Sequence, residues 1–230
     1  MISWMNITKL GDVAVMAPMA ALITAWLVIS HSFKNAVLWC LLIAAGMGLV
    51  IASKIAFVGW GIGIASLDFT GFSGHTMLAT AIIPVLFYLI LQKASPTVRL
   101  SGIIVGILCG IMIGISRLIL EAHSVSEAVS GCALGAAVSL SFIWLLEPSE
   151  KPVPNRTLIA LSLMVLLAAP YIKPTPTQDW ISNFMIYLSG NSKPLFQRNN
   201  AFGELKSHYI YRDNSIIDRN YYNEKSPYKY

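Results

Sequence analysis

Six apolar runs, each close to the ~20 residues a helix needs to cross a lipid hydrocarbon core, constrain this chain before anything else does. They lie at Asp12–Ser30, Ala36–Ser53, Gly74–Gln92, Leu100–Leu120, Ser126–Leu146 and Thr157–Ile172. With 56% of the residues hydrophobic and 12% charged, they predict an all-α integral membrane bundle over residues 1–172, followed by a separate tail, 173–230. The first run follows Lys9 without a convincing small-residue cleavage site and is read as a retained helix. Cys40, Cys109 and Cys132 all fall inside runs and read as small packing residues, not as a disulfide framework or a metal site.

Orientation follows from the basic residues. Six crossings place Lys34, Lys93, Arg99, Lys151 and Arg156 on one side, against Lys9, Lys54 and Arg117 in the short segments opposite. That bias puts the first set in the cytoplasm and the segments 54–73 and 117–125, with both chain ends, outside. In the tail, "TPTQDWISNFMIYLSG" offers Asp179 as a helix cap and spaces Trp180, Phe184, Tyr187 and Leu188 along one face, as an interfacial helix would. The stretch around "RDNS" beyond it reads as a small hairpin or as poorly ordered chain. Internal repeats, low-complexity runs and nucleic-acid motifs are not evident.

The chemistry-bearing residues converge on the outer face. Lys54 closes the second run, "GFSGH" (71–75) opens the third, Ser116–Arg117 ends the fourth, and His123 with Glu127 opens the fifth. Each has a bland reading alone: Lys54 as a snorkelling interfacial lysine, Ser73 as an N-cap, either histidine as a structural donor. The set suits phosphoryl transfer. A helix N-terminus at Ser73–Gly74 offers backbone N–H groups and a positive dipole to a phosphate, and Arg117 and Lys54 add charge. Of two histidines, one can attack phosphorus and the other protonate the departing oxygen. His123 and Glu127, four residues apart, share a helical face, so the carboxylate can hold one ring nitrogen while the other attacks. No P-loop and no closed metal-ligand set is apparent, and this chemistry calls for no cofactor. Asp68 and Glu121 lie on the same face, the first as a partner for Lys54, a selector of cationic head groups or a solvated acid, the second as a marker of the water interface.

"SGH" at 73–75, followed by "SRLILEAHSVSE" at 116–127, resembles the second and third signature motifs of the type 2 phosphatidic acid phosphatase superfamily. The third motif there reads Ser-Arg, five residues, His, three residues, Asp; Ser116, Arg117 and His123 match it, and Gly131 and Gly135 continue the pattern. The resemblance covers about Lys54 to Gly135. It implies that His123 is the nucleophile, His75 the general acid, Glu127 the orienting carboxylate, and Lys54, Ser73, Gly74 and Arg117 the phosphate cradle. Two departures stand out. The first motif, Lys, six residues, Arg-Pro, is broken because Gly61 and Ile62 stand where Arg-Pro belongs, and Glu127 replaces the usual aspartate.

The expectation is a metal-independent phosphatase, seated in the bilayer of a bacterial inner membrane and facing outward, that hydrolyses a lipid phosphomonoester or diphosphate. A lipid-to-lipid phosphotransferase would use the same residues, and the missing arginine leaves room for a decayed site that binds lipid phosphate without turnover. Mid-bilayer ionisable groups, which a transporter would be expected to show, are lacking in the runs. The lipid and the oligomeric state are not readable from the chain.

Overall fold

The computed structural model describes residues 4–146 and 156–173, together with 175, 180, 183, 184 and 187. Among these the chain is all-helical: α1 (Trp4–Leu10), α2 (Val13–Ile29), α3 (Phe33–Trp60), α4 (Gly74–Ile90), α5 (Pro96–Ile119), α6 (Val125–Leu145) and α7 (Arg156–Ala168), with 3-10 turns at Ala65–Leu67 and Ala169–Tyr171. Together α1 and α2 form one apolar stretch, Trp4–Ile29, long enough to cross a membrane, as are α3, α5 and α6; α4 and α7 are shorter apolar helices. The protein is a multi-pass membrane bundle, and the six expected crossings are each occupied by a helix.

Two boundaries differ from the sequence reading. The first crossing gains α1, a full turn and more ahead of Asp12, which instead caps α2 by accepting from Ala14 N at 2.9 Å. Lys54 does not close the second crossing: α3 continues to Trp60 and ends at Gly61, whose φ of 67° lies in the left-handed region that glycine adopts without strain. The remaining ends agree to within a few residues. Trp180, Asn183, Phe184 and Tyr187 are helical, and Trp180, Phe184 and Tyr187 are exposed, whereas the expected hairpin at "RDNS" and most of the 173–230 tail lie outside the described residues.

Helix α4 is the hub. Every residue from Thr76 to Leu86 is buried, so this helix is enclosed all round, as a bundle's central element must be. It is enclosed by two glycine-lined helices. On α5, a Cβ at Gly106 would lie 2.5 Å from Pro84 Cα, and one at Gly110 would lie 2.2 Å from Thr80 Oγ1. On α6, a Cβ at Gly135 would lie 2.4 Å from Met77 O. Contact this close is the small-residue packing that drives helix association where lipid is as apolar as the side chains. Outside this hub, Trp39 of α3 meets Phe142 of α6 edge-on at 5.2 Å and donates to Ala20 O of α2 at 3.2 Å. The lipid-facing residues of these helices, such as Leu41, Leu108 and Trp144, are exposed and apolar.

Candidate active site

The stretch from Ser116 to Glu127 folds as two helix ends facing each other. After Arg117, α5 stops with Glu121 at φ 52°, Ala122 N bonding to Arg117 O and Glu121 N to Leu118 O; this Schellman turn reverses the chain. Glu121 is exposed, in keeping with a place at the water interface. Ser124 then caps α6 in a capping box: its hydroxyl accepts from Glu127 N, and Glu127 Oε2 accepts from Ser124 N, both at 3.3 Å. His123 sits between the two ends.

Glu127, 1% exposed, is the organising residue. Its Oε2 lies 2.7 Å from His123 Nδ1. Its Oε1 accepts from Thr70 N at 2.8 Å and from the Thr70 hydroxyl, and its carbonyl accepts from Ser73 N at 3.1 Å. A carboxylate only accepts, so His123 carries its proton on Nδ1 and presents the lone pair of Nε2. Burial of the ring, which outweighs the hydrogen bond it gives to Glu127, pushes the His123 pKa down to about 4, and the ring is neutral at physiological pH.

The loop between α3 and α4 delivers the rest. Gly71, at φ 149°, passes so close to α3 that a Cβ would lie 3.1 Å from Lys54 Cγ, and Phe72 N donates to Ser53 Oγ at 3.1 Å. This lays the loop over Lys54. Ser73 starts α4 in N-cap conformation, but its buried hydroxyl pairs with Thr76 Oγ1 at 2.9 Å and caps no backbone amide. A Cβ at Gly74 would meet only Val50, at an ordinary 3.5 Å, so the protein's own packing does not demand glycine there. Arg117 gives Nη1 to Thr8 Oγ1 at 3.2 Å, and its buried Nε has no partner among the described residues.

His75 lies one residue into α4, with Nε2 3.4 Å from Asp12 Oδ2. Lys54 and Arg117 are close enough to bear electrostatically on both His75 and His123. The structure therefore brings together all seven residues singled out in the sequence: Lys54, Ser73, Gly74, His75, Arg117, His123 and Glu127. It also adds three that the sequence reading missed: Asp12, Thr8 and Thr70. Asp12 was visible only as a lone carboxylate at the mouth of an apolar run; Thr8 and Thr70 carried no signal.

The family model of the PAP2 superfamily matches residues 64–151, which hold both histidines, Arg117 and Glu127. An uncharacterized 22.5 kDa protein in the cps region of Klebsiella pneumoniae is 38% identical over 201 residues, covering 84% of this chain and 94% of that protein. No solved structure is a significant match. The chain belongs to the PAP2 superfamily and is a multi-pass membrane protein with a phosphatase-type site.

Proposed function

We propose that this protein is a lipid phosphate phosphatase that works without a metal ion and through a phosphohistidine at His123. The observation that carries the reading is the 2.7 Å pairing of His123 Nδ1 with Glu127 Oε2, which favours the proton on Nδ1 and leaves Nε2 as a neutral nucleophile beside two cations. Nε2 attacks phosphorus, the ester P–O bond breaks, and the leaving oxygen takes a proton from His75. Positive charge that develops on the His123 ring is stabilised by Glu127, as in a serine protease triad. Water then attacks the phosphohistidine, yields its proton to His75, and the N–P bond breaks to release phosphate. Arg117, whose buried Nε has no partner among the described residues, and Lys54 match the phosphoryl oxygens, and the uncrowded Gly74 lets them approach the α4 N-terminus.

The substrate's apolar tail stays among the bundle's lipid-facing residues while its phosphate enters at the helix ends. The basic residues favour a site that faces outward, and the compact chain and the family resemblance favour a bacterial inner membrane. A phosphotransferase differs only in the acceptor of the second step. The non-catalytic reading has its own support in Gly61, where the left-handed end of α3 stands in place of a phosphate-binding arginine. Purified protein in detergent with excess chelator, offered phosphatidic acid, phosphatidylglycerol phosphate and an isoprenyl diphosphate, decides among these. Phosphate release supports the phosphatase, transfer to an added lipid alcohol supports the transferase, and binding without either supports the decayed site.

A further inference from the structure

Resting on that reading, we propose that Asp12 is a positioning residue for His75, holding the ring by Nε2 so that Nδ1 is the nitrogen that gives its proton to the leaving oxygen. The bundle thus carries two carboxylate–histidine pairs, Glu127 with the nucleophile and Asp12 with the acid. Asp12 lies outside the residues matched by the family model.

Helix capping alone does not account for Asp12. A cap needs one short side-chain oxygen, which serine provides as well as aspartate. Here Oδ1 serves the cap at Ala14 N, while Oδ2 faces His75 Nε2 at 3.4 Å. The carboxylate is 4% exposed, a costly place for a charge that lacks partners. It has them: Thr175 N reaches both oxygens at 3.1 Å, and Thr175 Oγ1 donates to Oδ1 at 2.6 Å. The approach to α4 is also built in, because a Cβ on neighbouring Gly11 would lie 3.0 Å from His75 O and 2.7 Å from Ile113 Cγ2.

Two consequences follow for the ring. Since the carboxylate can only accept, the Nε2 facing it bears a proton, and Nδ1, without a partner among the described residues, is left for chemistry. The charged groups that face His75 are Asp12 from the α1–α2 junction, Lys54 from α3 and Arg117 from α5. Burial of the ring and then the two cations oppose an imidazolium, and Asp12 is the charge that favours it. In the first step the imidazolium gives its Nδ1 proton to the leaving oxygen and becomes the neutral Nε2–H tautomer. In the second, water's proton returns to Nδ1 as its oxygen bonds to phosphorus and the bond from phosphorus to His123 breaks.

The test compares wild type with Asp12→Ser, which keeps a capping oxygen, and Asp12→Asn, which also keeps an acceptor for Thr175 should the serine variant fold poorly. Histidine-selective 15N NMR reads the His75 tautomer without any need for turnover. At a pH where the ring is neutral, the Nε2–H form is expected in wild type and a shift toward Nδ1–H in the variants. Kinetically, each variant is expected to lose at least about 10-fold in turnover of an alkyl phosphate and less than about 3-fold with nitrophenyl phosphate, whose leaving group needs no acid. An unchanged tautomer overturns the proposal, as do equal losses on both esters, which would make Asp12 merely structural. Wild-type protein inert toward every phosphate ester would overturn the phosphatase reading instead, and the NMR comparison would still decide the pairing.

Discussion

His123 Nδ1 and Glu127 Oε2 meet at 2.7 Å across the start of a helix, and the same Glu127 oxygen accepts from the Ser124 amide that caps that helix. One carboxylate thus fixes both where α6 begins and which histidine nitrogen is free. Glutamate suits this double task, since a capping box uses Glu or Gln three residues after the cap.

Glutamine at 127 is therefore expected to keep the box and the fold, yet to lower turnover by at least ~10²-fold, because an amide cannot stabilise an imidazolium. Aspartate is expected to keep more turnover than glutamine but to cost about 0.5–2 kcal/mol through the weakened cap. Steady-state kinetics and thermal unfolding of both variants in detergent check the crossing of the two orders.

The acid limb of kcat/KM should reflect His123. Burial pushes its pKa down to about 4, so the proposed nucleophile stays neutral well below the ordinary histidine range, and the limb's midpoint should lie nearer 4 than 6.5. Glu127→Gln removes an influence that raises this pKa and should move the limb lower still. The sign for stability follows: between pH 6.5 and about 4 an unfolded chain takes up a proton that the folded ring refuses, so this group's contribution is full above 6.5 and is lost as pH falls. A pH–rate profile, with unfolding measured over the same range, tests both.

Gly135→Ala is expected to destabilise the bundle by about 1–3 kcal/mol, since its Cβ would meet Met77 O at 2.4 Å. Gly48→Ala has nothing within 4 Å and should be neutral or should stabilise α3 by up to about 1 kcal/mol, as Gly-to-Ala does inside a helix. Thermal unfolding of the pair separates interhelical contact from helix propensity.

These contrasts mark what the chain discloses about itself. The Ser116–Glu127 site was legible because its parts lie within one reversal between two helices, where spacing alone decides which side chains meet. Lys54 was placed at the correct face but wrongly at a helix end: its charge looked like the limit of the apolar run, whereas α3 carries on through "IAFVGW" to Gly61. Asp12 and His75 are 63 positions apart, and no periodicity connects them; their meeting depends on how the α1–α2 junction seats on α4. The α5 glycines at 102, 106, 110 and 114 carry a four-residue period, but only the packing shows that α4 occupies the groove they leave.

The expected orientation is open to a reporter. Alkaline phosphatase fused after Tyr187 should be active, because six crossings return the chain to the face that holds the histidines. A silent fusion there, with an active cytoplasmic reporter at the same position, would place the site inside.

The phosphohistidine is the central claim, and rapid acid-free quenching of wild type and His123→Gln with a 32P-labelled lipid phosphate tests it most directly. Wild-type protein is expected to retain an acid-labile, base-stable label on His123, and the folded variant neither label nor turnover. Normal turnover by a well-folded His123→Gln protein would contradict the account, reducing the Ser116–Glu127 stretch to an interfacial cluster of charges.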